Sequence, residues 1–245
     1  MIRLILLDLD DTLLGGSMAA FWSDYIPTMG RWMSDQLDMP DFLARVFRAT
    51  EHVVARGDPT RTNLERFLEA FGEGTDVDAA RVVAAFDDYY TNHYATLART
   101  TRRLPAARRL VAWLFDNGYP VGIATNPLFP RTAVEQRLAW AGVPVSAFDY
   151  ALVTTLENMH FAKPQPAYYE EILERTGFSP EEALMVGDDL DDDMAAAKAG
   201  LRFYWVRTPE NATATPPPDA PIAGTGTLDE LTRRVCDEGW LRALD

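Results

Sequence analysis

Residues 4–14 read LILLDLDDTLL, an apolar run that stops at three carboxylates, Asp8, Asp10 and Asp11. A short run with no polar member suits a strand buried on both faces, the central strand of a parallel sheet. Open parallel sheets hold their ligands beyond the carboxyl ends of the strands, so these acids fall where such a fold does its chemistry. Alternate residues of a strand share a face, which lets Asp8 and Asp10 address one pocket while Leu9 turns into the core.

Gly15-Gly16 ends this pattern, and the chain then reads as helix after helix to about residue 99. Apolar stripes run through Phe42, Val46, Phe47 and Ala49-Thr50, through Leu64, Phe67, Leu68 and Phe71, and through Val82, Val83, Phe86, Tyr89 and Tyr90. Gly57-Asp58-Pro59 and Gly72-Glu73-Gly74 separate them. An antiparallel helical bundle follows, with stripes expected to pack mostly on one another.

From Leu104 onward helices and strands alternate. Helices are predicted over 106–117, 131–141, 166–176 and 192–199, each followed by a glycine stop, and strands over 119–125, 150–154, 183–186 and 203–206. Strands separated by helices of this length require right-handed crossovers and a parallel sheet. The predicted fold class is therefore α/β, a doubly wound parallel sheet of Rossmann-like type. Its core is residues 1–14 and 100–245, and an all-helical domain at 15–99 is inserted after the first strand. The proline-rich stretch 208–221 is expected to be an exposed loop.

The other strand ends carry further polar groups. Thr125-Asn126 offers a hydroxyl and an amide to a phosphate oxygen. Lys163-Pro164 offers a cation that can neutralise an acid nucleophile and a transferred anion. GDDLDDD at 187–193 places five carboxylates in six positions. That crowding is costly without a cation, and hard oxygen ligands beside a phosphate point to magnesium. Asp188 is assigned to the metal, and Asp191 and Asp192 to the N-terminus of the following helix. Each signal alone has an ordinary structural explanation: a Thr-Asn-Pro turn, a surface Lys-Pro loop, an acidic helix start. Their order after four strands is what carries weight.

With 23 basic against 37 acidic side chains the chain has a formal charge of −14, which disfavours nucleic acid and anionic membranes as partners. The lone Cys236 excludes an intrachain disulfide and a thiolate zinc cluster. Only four apolar residues separate Arg3 from Asp8, too few for a signal peptide or membrane span, so a cytoplasmic location is expected. Asn211-Ala-Thr213 matches a glycosylation acceptor, and without a secretion signal a chance match is the better reading.

DLDDT at 8–12, ATN at 124–126, KPQP at 163–166 and GDDLDDD at 187–193 together resemble the four motifs of the haloacid dehalogenase-like hydrolase superfamily. The helical insert resembles the cap of its subfamily I. The resemblance implies a phosphatase hydrolysing a small phosphorylated metabolite through an aspartyl phosphate, with Asp8 as nucleophile and Asp10 as general acid/base. It also implies that Thr125 and Lys163, with Asn126 beside them, hold the phosphoryl oxygens. Magnesium would sit on Asp8, the Asp10 carbonyl and Asp188, with Asp193 assisting through water or by fixing Lys163. Three positions depart from the common pattern: Asp11 for glycine, Asp189 for serine, which leaves open whether Asp189 or Asp193 completes the metal shell, and His160-Phe161 where a glycine often precedes the lysine. His160 is read as a surface-loop residue.

Carbon–halogen hydrolases on the same fold lack the second strand-one aspartate and the metal. A phosphoglucomutase-like phosphotransferase differs only in how the acyl phosphate is discharged. A phospho-accepting signalling module is disfavoured by the large insert and the placement of the acid pair. Substrate choice is assigned to the cap, with Ser17, Phe21, Trp22, Arg56, Arg61 and Asn63 as candidates; the substrate and the oligomeric state stay open.

Overall fold

The first strand, β1 (Leu4–Leu7), is buried along its whole length and bonded on both sides, as its unbroken apolar run demands. The computed structural model describes residues 1–244. After β1 the chain passes through β2 (Leu14–Gly16) into four helices, α1 (Met18–Leu37), α2 (Phe42–Ala55), α3 (Asn63–Gly72) and α4 (Ala79–Asn92). A 3₁₀ segment, Tyr94–Thr100, leads to β3 (Thr101–Arg103), which pairs antiparallel with β2. This two-stranded ribbon joins the helical insert to the α/β part. It was not anticipated from sequence, because its three-residue strands are too short to show a period.

The α/β part continues with α5 (Pro105–Asp116), β4 (Val121–Ile123), α6 (Arg131–Ala141), β5 (Leu152–Val153), α7 (Pro166–Thr176), β6 (Ala183–Gly187) and β7 (Arg202–Val206). It closes with β8 (Ile222–Gly226), α8 (Leu228–Glu238) and α9 (Trp240–Ala243). The six-stranded sheet has the order β5-β4-β1-β6-β7-β8 with every pair parallel. The predicted α/β class with an inserted helical cap is what the chain adopts. β1 lies at the point where the connections reverse direction, so its carboxyl end opens into the crevice that such sheets use for ligands.

Alternation along β1 builds the two layers. Ile5 and Leu7 pack with Leu110, Leu114 and Val235 on one face, and Leu4 and Leu6 with Tyr168, Ile172 and Ala196 on the other. Each such leucine contributes roughly 1.5–3 kcal/mol by leaving water.

The insert has its own core, centred on Phe21, Tyr25, Met29, Phe42, Phe71, Tyr89 and Tyr94. As expected, this core is built mostly of the cap's own residues, but it does not close on itself alone. Ala133 of α6 belongs to it, Tyr94 stacks on Trp140 with ring centroids 5.3 Å apart, and Gln136 donates to the Tyr90 carbonyl at 2.6 Å. The cap is thus seated on α6.

The stretch predicted as a helix over 192–199 is instead a 3₁₀ segment, Met194–Ala199. Asp189 Oδ1 accepts the N–H groups of Asp191 and Asp192 at 2.7 Å each, holding those residues in a turn. Asp191 and Asp192 therefore do not form a helix N-terminus. The segment 208–221 is a largely exposed loop without helix or strand. No helix among the described residues is long and apolar enough to cross a membrane.

Candidate active site

Asp8 follows β1 directly, still tied to the sheet by its N–H donating to the Val186 carbonyl at 2.9 Å. Its carboxylate is buried, and Oδ1 accepts from Lys163 Nζ at 2.9 Å. Lys163 donates also to Asp193 Oδ1 at 2.5 Å, so one buried ammonium joins two buried carboxylates. Burial alone would push the lysine down, but Asp193 and Asp8 outweigh it and hold the ammonium well above the ordinary lysine range. Thr125 lies two residues past β4, and its carbonyl accepts from Thr154 Oγ1 at 2.7 Å and Tyr168 Oη at 2.8 Å. Both bonds fix the residue whose hydroxyl borders the same cavity as Asp8.

The acidic loop after β6 is held by an equally specific set of bonds. The Asp188 carbonyl accepts from Trp205 Nε1 at 2.9 Å and from Asn211 Nδ2 at 3.0 Å, and Thr12 Oγ1 donates to its carboxylate at 3.3 Å. Asn211, the nominal glycosylation acceptor, is thus a latch on this loop, and its amide also reaches the Val206 carbonyl. Asp193 Oδ2 accepts the Asp189 N–H at 3.0 Å and lies over Gly187, where a Cβ would come within 2.1 Å of it. The glycine is required by that close approach. Asn126 donates its Nδ2 to Asp192 Oδ2 at 3.0 Å, which ties it to the acidic loop.

Carboxylate oxygens of Asp8, Asp188 and Asp193 all lie within 4.8 Å of one another. Burial, then repulsion from Asp8 and Asp193, pushes the Asp188 carboxyl up to about 9, and burial likewise raises Asp193. A set of hard oxygen donors with excess negative charge fits a divalent cation. Asp189, with Oδ1 occupied by two backbone amides, stands outside that set.

Asp10 lines the same cavity but has a different partner. Its Oδ1 meets Arg137 Nη2 of α6 at 2.8 Å, and this arginine is 2% exposed. Its guanidinium lies 4.7 Å from the ring centroids of both Phe21 and Phe129. Burial raises the Asp10 carboxyl to about 6, with Arg137 opposing the shift. Asp11 has φ of 57°, in the left-handed region that favours glycine and that aspartate tolerates better than most residues. That conformation accounts for the aspartate in a position where glycine is the commoner choice.

A model of the haloacid dehalogenase-like hydrolase family matches residues 2–200. The chain belongs to that family. It is 26% identical over 223 residues to the pyrophosphatase PpaX of Anoxybacillus flavithermus, covering 89% of this chain and 91% of the relative. It is 30% identical over 148 residues to the phosphoglycolate phosphatase of Yersinia pseudotuberculosis, covering 59% of this chain and 62% of that one. Among solved structures, a HAD phosphatase from Thermococcus onnurineus shares the fold with a TM-score of 0.58 at 22% identity, covering 96% of this chain and 98% of that one.

In this haloacid dehalogenase-like hydrolase, Asp8, Asp10, Thr125, Asn126, Lys163, Asp188 and Asp193 all line one cavity of about 540 Å³ between core and cap. Of the cap candidates only Trp22 lines it. Ser17 caps α1, Phe21 faces Arg137, Arg61 pairs with Glu69, and buried Asn63 donates to the Phe161 carbonyl. Arg56, just after α2, is exposed and lies off the cavity. His160 is half-buried, with Nδ1 on Glu171 Oε1 at 2.8 Å, and takes no part in the cavity wall. Sequence reasoning missed Arg137, which no motif marks. A basic residue beside Leu138 and Ala139 on a buried helix was the available signal.

Proposed function

We propose that this hydrolase is a magnesium-dependent phosphatase acting on a small phosphorylated metabolite, a phosphate monoester, through an aspartyl-phosphate intermediate. One observation carries the reading. Asp8 and Lys163 meet at 2.9 Å in the cavity wall, which Asp10, Asp188 and Asp193 also line. The phosphatase names of the two relatives support the same chemistry.

In this reading Asp8 attacks phosphorus as the ester oxygen leaves and takes a proton from Asp10. The Asp10 carboxylate then accepts a proton from the water that attacks the aspartyl phosphate, releasing inorganic phosphate and restoring Asp8. An acid raised to about 6 is poised to give and take that proton near neutrality. Lys163 and the Thr125 hydroxyl bind the non-bridging oxygens, and Asp193 positions Lys163 through its 2.5 Å contact. Asp8, the Asp10 carbonyl and Asp188 are the groups that would hold magnesium, which when bound supplies positive charge to the phosphoryl oxygens. Asp10 and the acidic loop favour a phosphate ester over a carbon–halogen bond.

The test is phosphate release from p-nitrophenyl phosphate by the full chain with magnesium and with excess chelator, together with Asp8→Asn. Turnover is expected only in the magnesium-loaded wild-type protein. Equal turnover in chelator, or in Asp8→Asn, would contradict the proposal, and transfer of the phosphoryl group to an added sugar without phosphate release would favour a phosphotransferase.

A further inference from the structure

We propose that the substrate of this phosphatase is the phosphate ester of a bulky, uncharged and mainly apolar alcohol; the inference rests on the phosphatase reading above and names its substrate class. The phosphoryl end of the cavity is charged, but the wall facing it, supplied by the cap and the loop after β4, is not. Trp22, Met29, Phe47, Leu68, Phe86 and Phe129 form it. Trp22 and Phe47 remain 40% and 50% exposed, two of the few large apolar side chains the described residues leave in contact with water. Apolar surface kept open on a cavity wall marks a binding site.

Charge excludes the competing class. Among the described residues lining the cavity, Lys163 is the one cation, and Asp8 and Asp193 already hold it. None of the cap's arginines lines the cavity, and five are held elsewhere: Arg45 by the Phe71 and Glu73 carbonyls, Arg61 by Glu69, Arg66 by His52 and Val53, Arg81 by Gln36, Arg99 by Asp24. Beside the wall, the charged residues that line the cavity are Asp87 and Glu157, both negative, with Glu157 bound to the Arg131 N–H; Arg137 lies behind Phe129 and is taken by Asp10. A leaving group with its own carboxylate or phosphate would lose water there and gain no counter-charge. The Tyr25 and Tyr90 hydroxyls are bonded to each other at 2.5 Å, which reduces what they offer a sugar.

The experiment measures kcat/KM of the magnesium-loaded full chain for ethyl, butyl, hexyl and octyl phosphate, and for 2-naphthyl phosphate, against phosphoglycolate, glucose 6-phosphate and pyrophosphate. Full burial of a methylene predicts a rise of about fourfold per added CH₂ until the cavity is filled. The longer alkyl and naphthyl esters should exceed phosphoglycolate and pyrophosphate by at least about 100-fold, on the same scale of burial. Phe47→Lys, at a half-exposed site that tolerates a charge, should lower the value for octyl phosphate and raise it for phosphoglycolate. Hydrolysis with a flat alkyl series, or with an anionic or sugar substrate preferred, would overturn the inference and leave the phosphatase reading standing. No hydrolysis of any ester, p-nitrophenyl phosphate included, would overturn both.

Discussion

Arg137 and Asp10 meet at 2.8 Å, the guanidinium packed against two aromatic rings, one from the cap and one from the core. Phe21 belongs to α1 of the insert and Phe129 to the loop after β4, so one buried cation ties the proposed acid/base to the junction of the two parts. Its Nε is buried with no hydrogen-bond partner among the described residues, which leaves ring contacts and Asp10 to compensate its desolvation.

Arg137→Met should therefore misplace Asp10 rather than merely loosen the fold. Turnover of a poor leaving group, such as an alkyl phosphate, should fall by about 10²-fold, the lower end of what general acid catalysis supplies. Turnover of p-nitrophenyl phosphate, whose leaving group needs little protonation, should fall far less. Urea denaturation should record a loss of roughly 3 kcal/mol, the low end for breaking a buried ion pair, because Asp10 keeps some contact with solvent. Equal losses for both esters would reduce Arg137 to a structural role.

Metal removal has a predictable pH dependence. Burial and neighbouring charge hold Asp188 at about 9 and Asp11 at about 7, so without a cation the folded state binds more protons than the unfolded chain. Stability of the metal-free protein should then decrease as pH rises from about 4 towards 9, the window between unfolded and folded values. Magnesium replaces the proton on Asp188, so the rise in Tm it produces should be larger at pH 8 than at pH 6. At a hundredfold excess over Kd the stabilisation is about 2.7 kcal/mol. A Tm indifferent to magnesium at both pH values would contradict the assigned donor set.

Gly187→Ala tests the support of Lys163. The new Cβ would sit 2.1 Å from Asp193 Oδ2, an atom already bound to the Asp189 N–H, so the carboxylate must move and release its hold on the lysine. Displacement of about 1 Å costs on the order of 10²-fold in rate, and kcat for p-nitrophenyl phosphate should drop accordingly. Wild-type kcat in this variant would show that Asp193 does not position Lys163.

The parts of this molecule that were legible in its sequence are those whose signal is local. β1 declares itself because a strand buried on both faces needs an unbroken apolar run, and the acids at its end need no other element to be noticed. Helix stops at Gly142 and Gly177 follow from their left-handed φ of 83° and 75°. What escaped depends on distant partners. The β2–β3 ribbon pairs three residues on each side of the entire insert, and β8 is a half-exposed edge strand with two glycines. Arg137 becomes informative only once α6 is laid against Asp10. The helical periodicity of Phe47, Leu64 and Leu68 was real, but it marks apolar faces without saying whether they meet a neighbouring helix or a cavity.

Rapid-quench trapping tests the central claim most directly. Asp10→Asn protein, in which dephosphorylation should be slowed by about 10²–10⁴-fold, is mixed with magnesium and a phosphoryl-labelled ester, quenched in acid and digested. The label should be found on Asp8, and Asp8→Asn protein should carry none. Label on any other residue, or turnover by the wild-type chain without any trapped phosphoprotein in the slowed variant, would contradict the account.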